Sequence, residues 1–294
     1  MSNIELTDNF IVYDGHVLYQ IKAIGTNNYH NVYEGSLGGY IDKTSIISDN
    51  AWIEEGSIVY NYCAITDNAF IGKDIIVNNY SIVSDYSIIE DNVIITNNSF
   101  VKNNSKIKCG SIVDNSIIKD KSIVTGNNLI KNSILSDNTR VFFNGTVIDS
   151  NLHKYSNIYG NSTIIDSIID NNSEIKNSVI KNNCIIDNST IIKTIIEDSC
   201  TVINSTTSSQ PYPYIGLIDN NNEPQFHNCI IENNTTIINS KIQDGSIIDN
   251  STIKDKSIVN EYIINNHKVN YHTAMIKMMK LASDNNSAIN YQYH

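Results

Sequence analysis

The chain is short of positive charge. Its 20 Lys and Arg face 31 Asp and Glu, for a formal net charge of -11 and a pI near 5.0. Phosphate backbones are bound through clustered cations that displace counterions, so nucleic acid is excluded as an ordinary partner. No run of about 18 apolar residues exists, which excludes a membrane-spanning helix. Met1 to Leu6 lack the basic start and apolar centre of a secretory signal, so a soluble protein of the cytoplasm is predicted. No Walker loop, dinucleotide fingerprint, nucleophile elbow or HExxH segment is present. The five cysteines contain no CxxC pair, and no metal site is predicted. Proline is rare as well: Pro211, Pro213 and Pro224 are the only three, crowded into one stretch.

What the chain does have is Ile, Asn, Ser and Asp, arranged with a period of six. Aliphatic residues recur at Ile41, Ile47, Ile53, Val59, Ile65, Ile71 and onward to Val113, mostly with a small residue two positions earlier, as at Ser45, Ser57 and Ala69. Residues two apart share a face of a strand, so both point inward and the residue between them points out. Asp-Asn and Asn-Asn pairs such as Asp67-Asn68 and Asn97-Asn98 fill the turns, because these side chains tolerate left-handed backbone angles. Beyond Val113 the steps read five, six, six through Ile118, Val124, Ile130 and Leu135. A deletion recurring every third rung means that rungs three apart stack, so the coil has three faces and roughly 17 or 18 residues per turn.

The pattern predicts a hairpin cap over 1–40, with Asp14-Gly15 at its turn, and a β-solenoid over 41–204. An inserted loop over 205–228 follows, then more solenoid over 229–265 and a helix and tail over 266–294. The helix is expected from Tyr271 to Ala282, where Ala274, Met275, Met278 and Met279 lie at helical spacing.

The segment Gly35-Ser36-Leu37-Gly38-Gly39-Tyr40-Ile41, preceded by Val17 to Ala23 and followed by Asn50-Ala51-Trp52-Ile53, resembles the amino-terminal cap of YdcK-type hexapeptide-repeat proteins of bacteria and their phages. The resemblance implies an all-β fold, a left-handed parallel β-helix with three faces, and a location in the host cytoplasm if the chain is phage-encoded. It also implies an acetyltransferase-like label, which is an analogy from fold to function.

Acyltransferases on this coil use a histidine as general base, and His153 and His227 are the candidates, with acetyl-CoA as the cofactor of that reading. His16, His267, His272 and His294 read as structural or tail residues. Cys63, Cys184, Cys200 and Cys229 occupy inward small-residue positions, while Cys109 sits at a turn open to solvent.

The outward residues form three ladders. One reads Ile46, Ala64, Ile82, Phe100, Ile117, Ile134; a second reads Ile58, Ile76, Ile94, Ile112, Leu129; the third starts Trp52, Phe70, Ile88 and turns polar at Lys106. Apolar outer faces of that extent predict a homo-oligomer, a trimer by preference, with a further protein partner as an open option. The favoured expectation is a non-enzymatic structural or binding module without cofactor, in a phage or prophage setting; the alternative is acetyl transfer from acetyl-CoA to a hydroxyl or amine.

Overall fold

The computed structural model describes residues 3–192 and 194–208, then short strands between residues 225 and 276. The chain divides into two compact units, Met1–Lys154 and Tyr155–His294.

In the first unit every rung is a strand of two or three residues, and rungs three apart pair in parallel. On the first face Ile46 pairs with Ala64, Ala64 with Ile82, Ile82 with Phe100, Phe100 with Ile117 and Ile117 with Ile134. The second face aligns Ile58, Ile76, Ile94, Ile112 and Leu129, and the third aligns Trp52, Phe70, Ile88, Lys106 and Ile123. The ladders read from the sequence are the ladders of the structure. The inward aliphatic residues from Ile53 and Val59 to Val147 and Leu152 are fully buried. Each such side chain contributes about 1.5–3 kcal/mol on burial, which offsets the ordering of short strands that no single rung could hold.

The turns explain the composition and the uneven steps. Equivalent residues of successive coils lie 18 apart at Asn61 and Asn79, 17 apart at Asn115 and Asn132, and 16 apart at Asn188 and Asn204. The corner that carries Asn61 uses two left-handed residues at Asn61-Tyr62, Asn79-Tyr80 and Asn97-Asn98, and one at Asn115, Asn132 and Asp149. Losing one left-handed residue is the five-residue step. The corner amides then bond from coil to coil. Asn61 donates to Asn79 at 2.7 Å, Asn79 to Asn97 at 3.1 Å, and Asn97 to the carboxylate of Asp114 at 2.7 Å.

The small inward position is mostly serine rather than alanine because the hydroxyl serves two backbone groups. Ser116 Oγ donates to the Asp114 carbonyl at 2.7 Å and accepts the Ser133 N–H at 3.1 Å. Ser133 does the same for the Lys131 carbonyl and the Ser150 N–H. Asn128 replaces serine in the neighbouring column, next to Ser111, and its Oδ1 accepts the Gly145 N–H at 2.8 Å.

The cap begins with strand β1 (Ile4–Tyr13), paired antiparallel with β2 (His16–Ala23) across the Asp14-Gly15 turn, where both residues have positive φ. Strand β3 (Leu37–Ile41) pairs antiparallel with β2 and parallel with Ile58–Tyr60, joining cap to coil. Leu18 and Ile11 of the hairpin pack on Ile58 and Tyr60. Ile58, expected on the outer surface, is therefore 7% exposed.

In the second unit rungs three apart again pair in parallel, and two expectations are corrected. The break does not run from Ser205 to Asn228: Thr206–Ser208 pairs with Thr190–Ile192, and Gln225–His227 with Ile195–Glu197. Thr207 and Phe226 stand where an aliphatic residue is expected, so a search for Ile and Val passes over both rungs. Only 209–224, with all three prolines, lies between those strands and outside the described residues. Strands also continue past Ile264: Lys268–Asn270 pairs with Thr252–Lys254, and Met275–Ile276 with Ile258–Asn260. Met275 and Ile276 are thus strand, not the helix expected over 271–282, because their register with Val259 prevails over the helical spacing of the methionines. The rest of that helix lies outside the described residues.

Candidate functional site

Of the two candidate bases, His153 is the better defined. It follows the inward Leu152 at a corner, half-buried, with Nδ1 2.7 Å from Ser136 Oγ. Ser136 follows Leu135, which pairs with Leu152, so the histidine and the serine hold equivalent positions in adjacent coils. Ser136 Oγ donates to Asp137 Oδ2 at 2.9 Å. Asp137, Ser136 and His153 thus form a hydrogen-bonded chain at this corner, in which the roles of the ring nitrogens depend on the tautomer. His227 lies within the strand Gln225–His227, in register with Glu197, and not at the end of a loop. His267, His272 and His294 lie outside the described residues.

The sequence reading passed over His30, which occurs in the cap loop 24–36, where no periodicity marks it. Its ring packs 5.2 Å from Phe70 and 4.8 Å from Tyr29, and Tyr29 meets Tyr86 at 5.4 Å. Nε2 of His30 is buried without a hydrogen-bond partner among the described residues. His16 anchors the hairpin: its ring lies 4.9 Å from Tyr60, and its Nδ1 is 3.7 Å from Asp42 Oδ2. Burial pushes the Asp42 carboxyl up, but hydrogen bonds from Ser45, Thr44 and Asn61 outweigh it and hold the group below the usual carboxylate range. Burial, with Asp14 beside it, raises the Tyr60 phenol.

Cys63, Cys184 and Cys200 are buried at inward positions, and Cys109 is exposed. Burial pushes the Cys63 thiol up to about 12. The Cys184 thiol is also raised, by its hydrogen bond with Cys200 and by burial. The thiolate is the reactive form. A maleimide at neutral pH should therefore label Cys109 within minutes and leave Cys63, Cys184 and Cys200 unmodified in the native protein. Peptide mass mapping checks this, and rapid labelling of Cys63 would contradict its inert place in the core. Among the described residues no group of three His, Cys, Asp or Glu side chains could hold a metal ion. Nor is any helix among them long and apolar enough to cross a membrane.

The first outer face is an apolar ladder open to solvent from its first rung. Ile46 is 63% exposed, and Ala64, Ile82, Phe100, Ile117 and Ile134 are each partly exposed beside their register neighbours. By contrast, the hairpin buries Ile58 at the head of the second ladder, and Trp52, heading the third, is 4% exposed.

No protein-family model and no curated protein matches the chain. A search of solved structures finds a UDP-N-acetylglucosamine O-acyltransferase from Moraxella catarrhalis RH4, with 18% identity over 58% of this chain and 72% of that one, at a TM-score of 0.24. At that level of similarity the architecture rests on the strand pairings described above.

Proposed function

We propose that the chain is a non-enzymatic, oligomeric β-solenoid of the YdcK type, a structural or binding module whose copies pack side by side, three by preference, through the first outer face. The observation that carries this reading is the unbroken apolar ladder from Ile46 to Ile134, held in register coil by coil and left without cover. An apolar stripe along one face of a solenoid invites a closed arrangement in which each copy turns it to a shared axis. Light scattering on the purified chain is expected to give three times the 32.9 kDa chain mass. Phe100→Asp with Ile117→Asp, both outward and both away from the core, is expected to bring it down to one. A single-chain mass for the unaltered protein would sink the reading.

The hydrogen-bonded chain of Asp137, Ser136 and His153 favours one second reading, a hexapeptide acyltransferase. There His153 would take a proton from an acceptor hydroxyl or amine as it attacks the thioester carbonyl of acetyl-CoA, with CoA leaving as thiol. Calorimetric titration separates the two. The structural module gives no heat with acetyl-CoA at millimolar concentration; saturable micromolar binding, with turnover lost in His153→Ala, puts the enzyme first.

A further inference from the structure

The cap loop 24–36 lies over the outside of the third face, and a single histidine sits at its contact with the coil. Asn27 Nδ2 donates to the Asn50 carbonyl at 2.9 Å, and His30 packs on Phe70 one coil further along. Trp52 lies between these two attachment points, in register with Phe70. It holds an outward register position, yet it is nearly as buried as the core, and the loop's two attachment points flank it. The loop holds its own shape through paired backbone bonds between Asn27 and Val32 and through Asn27 Oδ1, which accepts the N–H groups of Tyr29 and His30.

We propose that residues 24–36 are a pH-sensitive clasp, closed over Trp52 when His30 is neutral and lifted from the third face when His30 takes a proton. Only backbone groups of Asn50 and Asn68 support a charged ring here. The groups packed against it are Tyr29 from the loop, itself against Tyr86, the Phe70 ring, and the backbone of Asn50 and Asn68. None is a carboxylate, and the buried Nε2 has no acceptor for a second proton among the described residues. Partial burial among aromatic rings disfavours the charged imidazole, and the loop it holds is attached by few contacts.

The direction of the pH response follows. Burial holds the His30 imidazole below its ordinary range, and backbone groups of Asn50 and Asn68 offset that only in part. The open loop therefore binds the proton more readily than the closed one. Closure is at full strength above about pH 6.5, the ordinary histidine value, and is lost as pH falls through the lowered one. His16, the other histidine of the cap, has the opposite surroundings, with Asp42 at 3.7 Å and Asp14 bonded to the adjacent Tyr60. His16→Asn therefore serves as the control variant.

Trp52 is the sole tryptophan, so its emission reports the clasp directly. Between about pH 7.5 and pH 5.5, kept above the pI near 5.0, its emission is expected to move to the red and acrylamide quenching to rise several-fold. The far-UV spectrum of the solenoid should stay unchanged. His30→Phe and His30→Gln are each expected to abolish the transition, and His16→Asn to keep it. Emission that stays blue at the lower pH, or the same transition in both His30 variants, overturns the proposal.

Discussion

Gly39→Ala is expected to unseat the amino-terminal cap. Gly39 occupies an inward small-residue position on β3, where a Cβ would lie 2.5 Å from the Ser57 carbonyl oxygen, 2.6 Å from Ile53 Cγ2 and 2.7 Å from the Glu54 carbonyl oxygen. Two of the three obstacles are backbone of the neighbouring coil, which cannot rotate away as a side chain can. The expected cost is about 3 kcal/mol or more, the upper end for overpacking. It should appear in chemical denaturation as a lowered midpoint and in limited proteolysis as early cleavage between the cap and Ile41. Gly35 serves as the control. Its φ is +86° with nothing within 4 Å, so Gly35→Asn meets only the mild strain of a left-handed residue and is expected to cost under about 1 kcal/mol. A Gly39→Ala protein as stable as the parent would show that the LGGY segment is not packed as described.

The second large effect separates two kinds of buried serine that the sequence writes identically. Ser133→Ala removes the acceptor of the Ser150 N–H and the donor to the Lys131 carbonyl. The Lys131 carbonyl keeps the Asp149 N–H, so one group is stranded, and the expected loss is about 1–3 kcal/mol. Ser87 and Ser122 sit at the corners of the other type, where the residue's own N–H bonds a carbonyl three residues back, Ser84 and Lys119 respectively. Their hydroxyls are buried with no partner among the described residues. Ser87→Ala and Ser122→Ala are therefore expected to be neutral or mildly stabilising. Ala51 and Ala69 already occupy corners of this second type, with their N–H groups bonded to the Ser48 and Thr66 carbonyls. Thermal unfolding of the three alanine variants under one set of conditions tests the distinction, and equal losses in all three would refute it.

Most of the architecture was open to reading because it is written in step lengths. The pairing of Ile94 with Ile112, or of Phe100 with Ile117 across a five-residue step, follows from which rungs are three apart. What periodicity cannot convey is cover. Trp52 and Ile58 point outward as their positions require, yet both are buried, because the hairpin and the cap loop fold back over the first coils. His30 escaped notice for the same reason, since a loop has no phase. The inserted stretch was read too wide because Thr207 and Phe226 hold inward register positions without being aliphatic. At the candidate base, spacing placed His153 at a corner, but Ser136 and Asp137 became its companions only once Leu135 and Leu152 were seen to stack.

The amide ladder at the corners has a further meaning for how the molecule is made. Each side-chain bond in it links residues one coil apart, a separation of 16–18 positions, as do the parallel strand pairings that do not cross the 209–224 stretch. Within each unit, then, a newly emerging coil finds its partner in chain that has already left the ribosome, with only a short loop to close. Synthesis and assembly can share one direction, the cap serving as the seed on which the following coils are laid down.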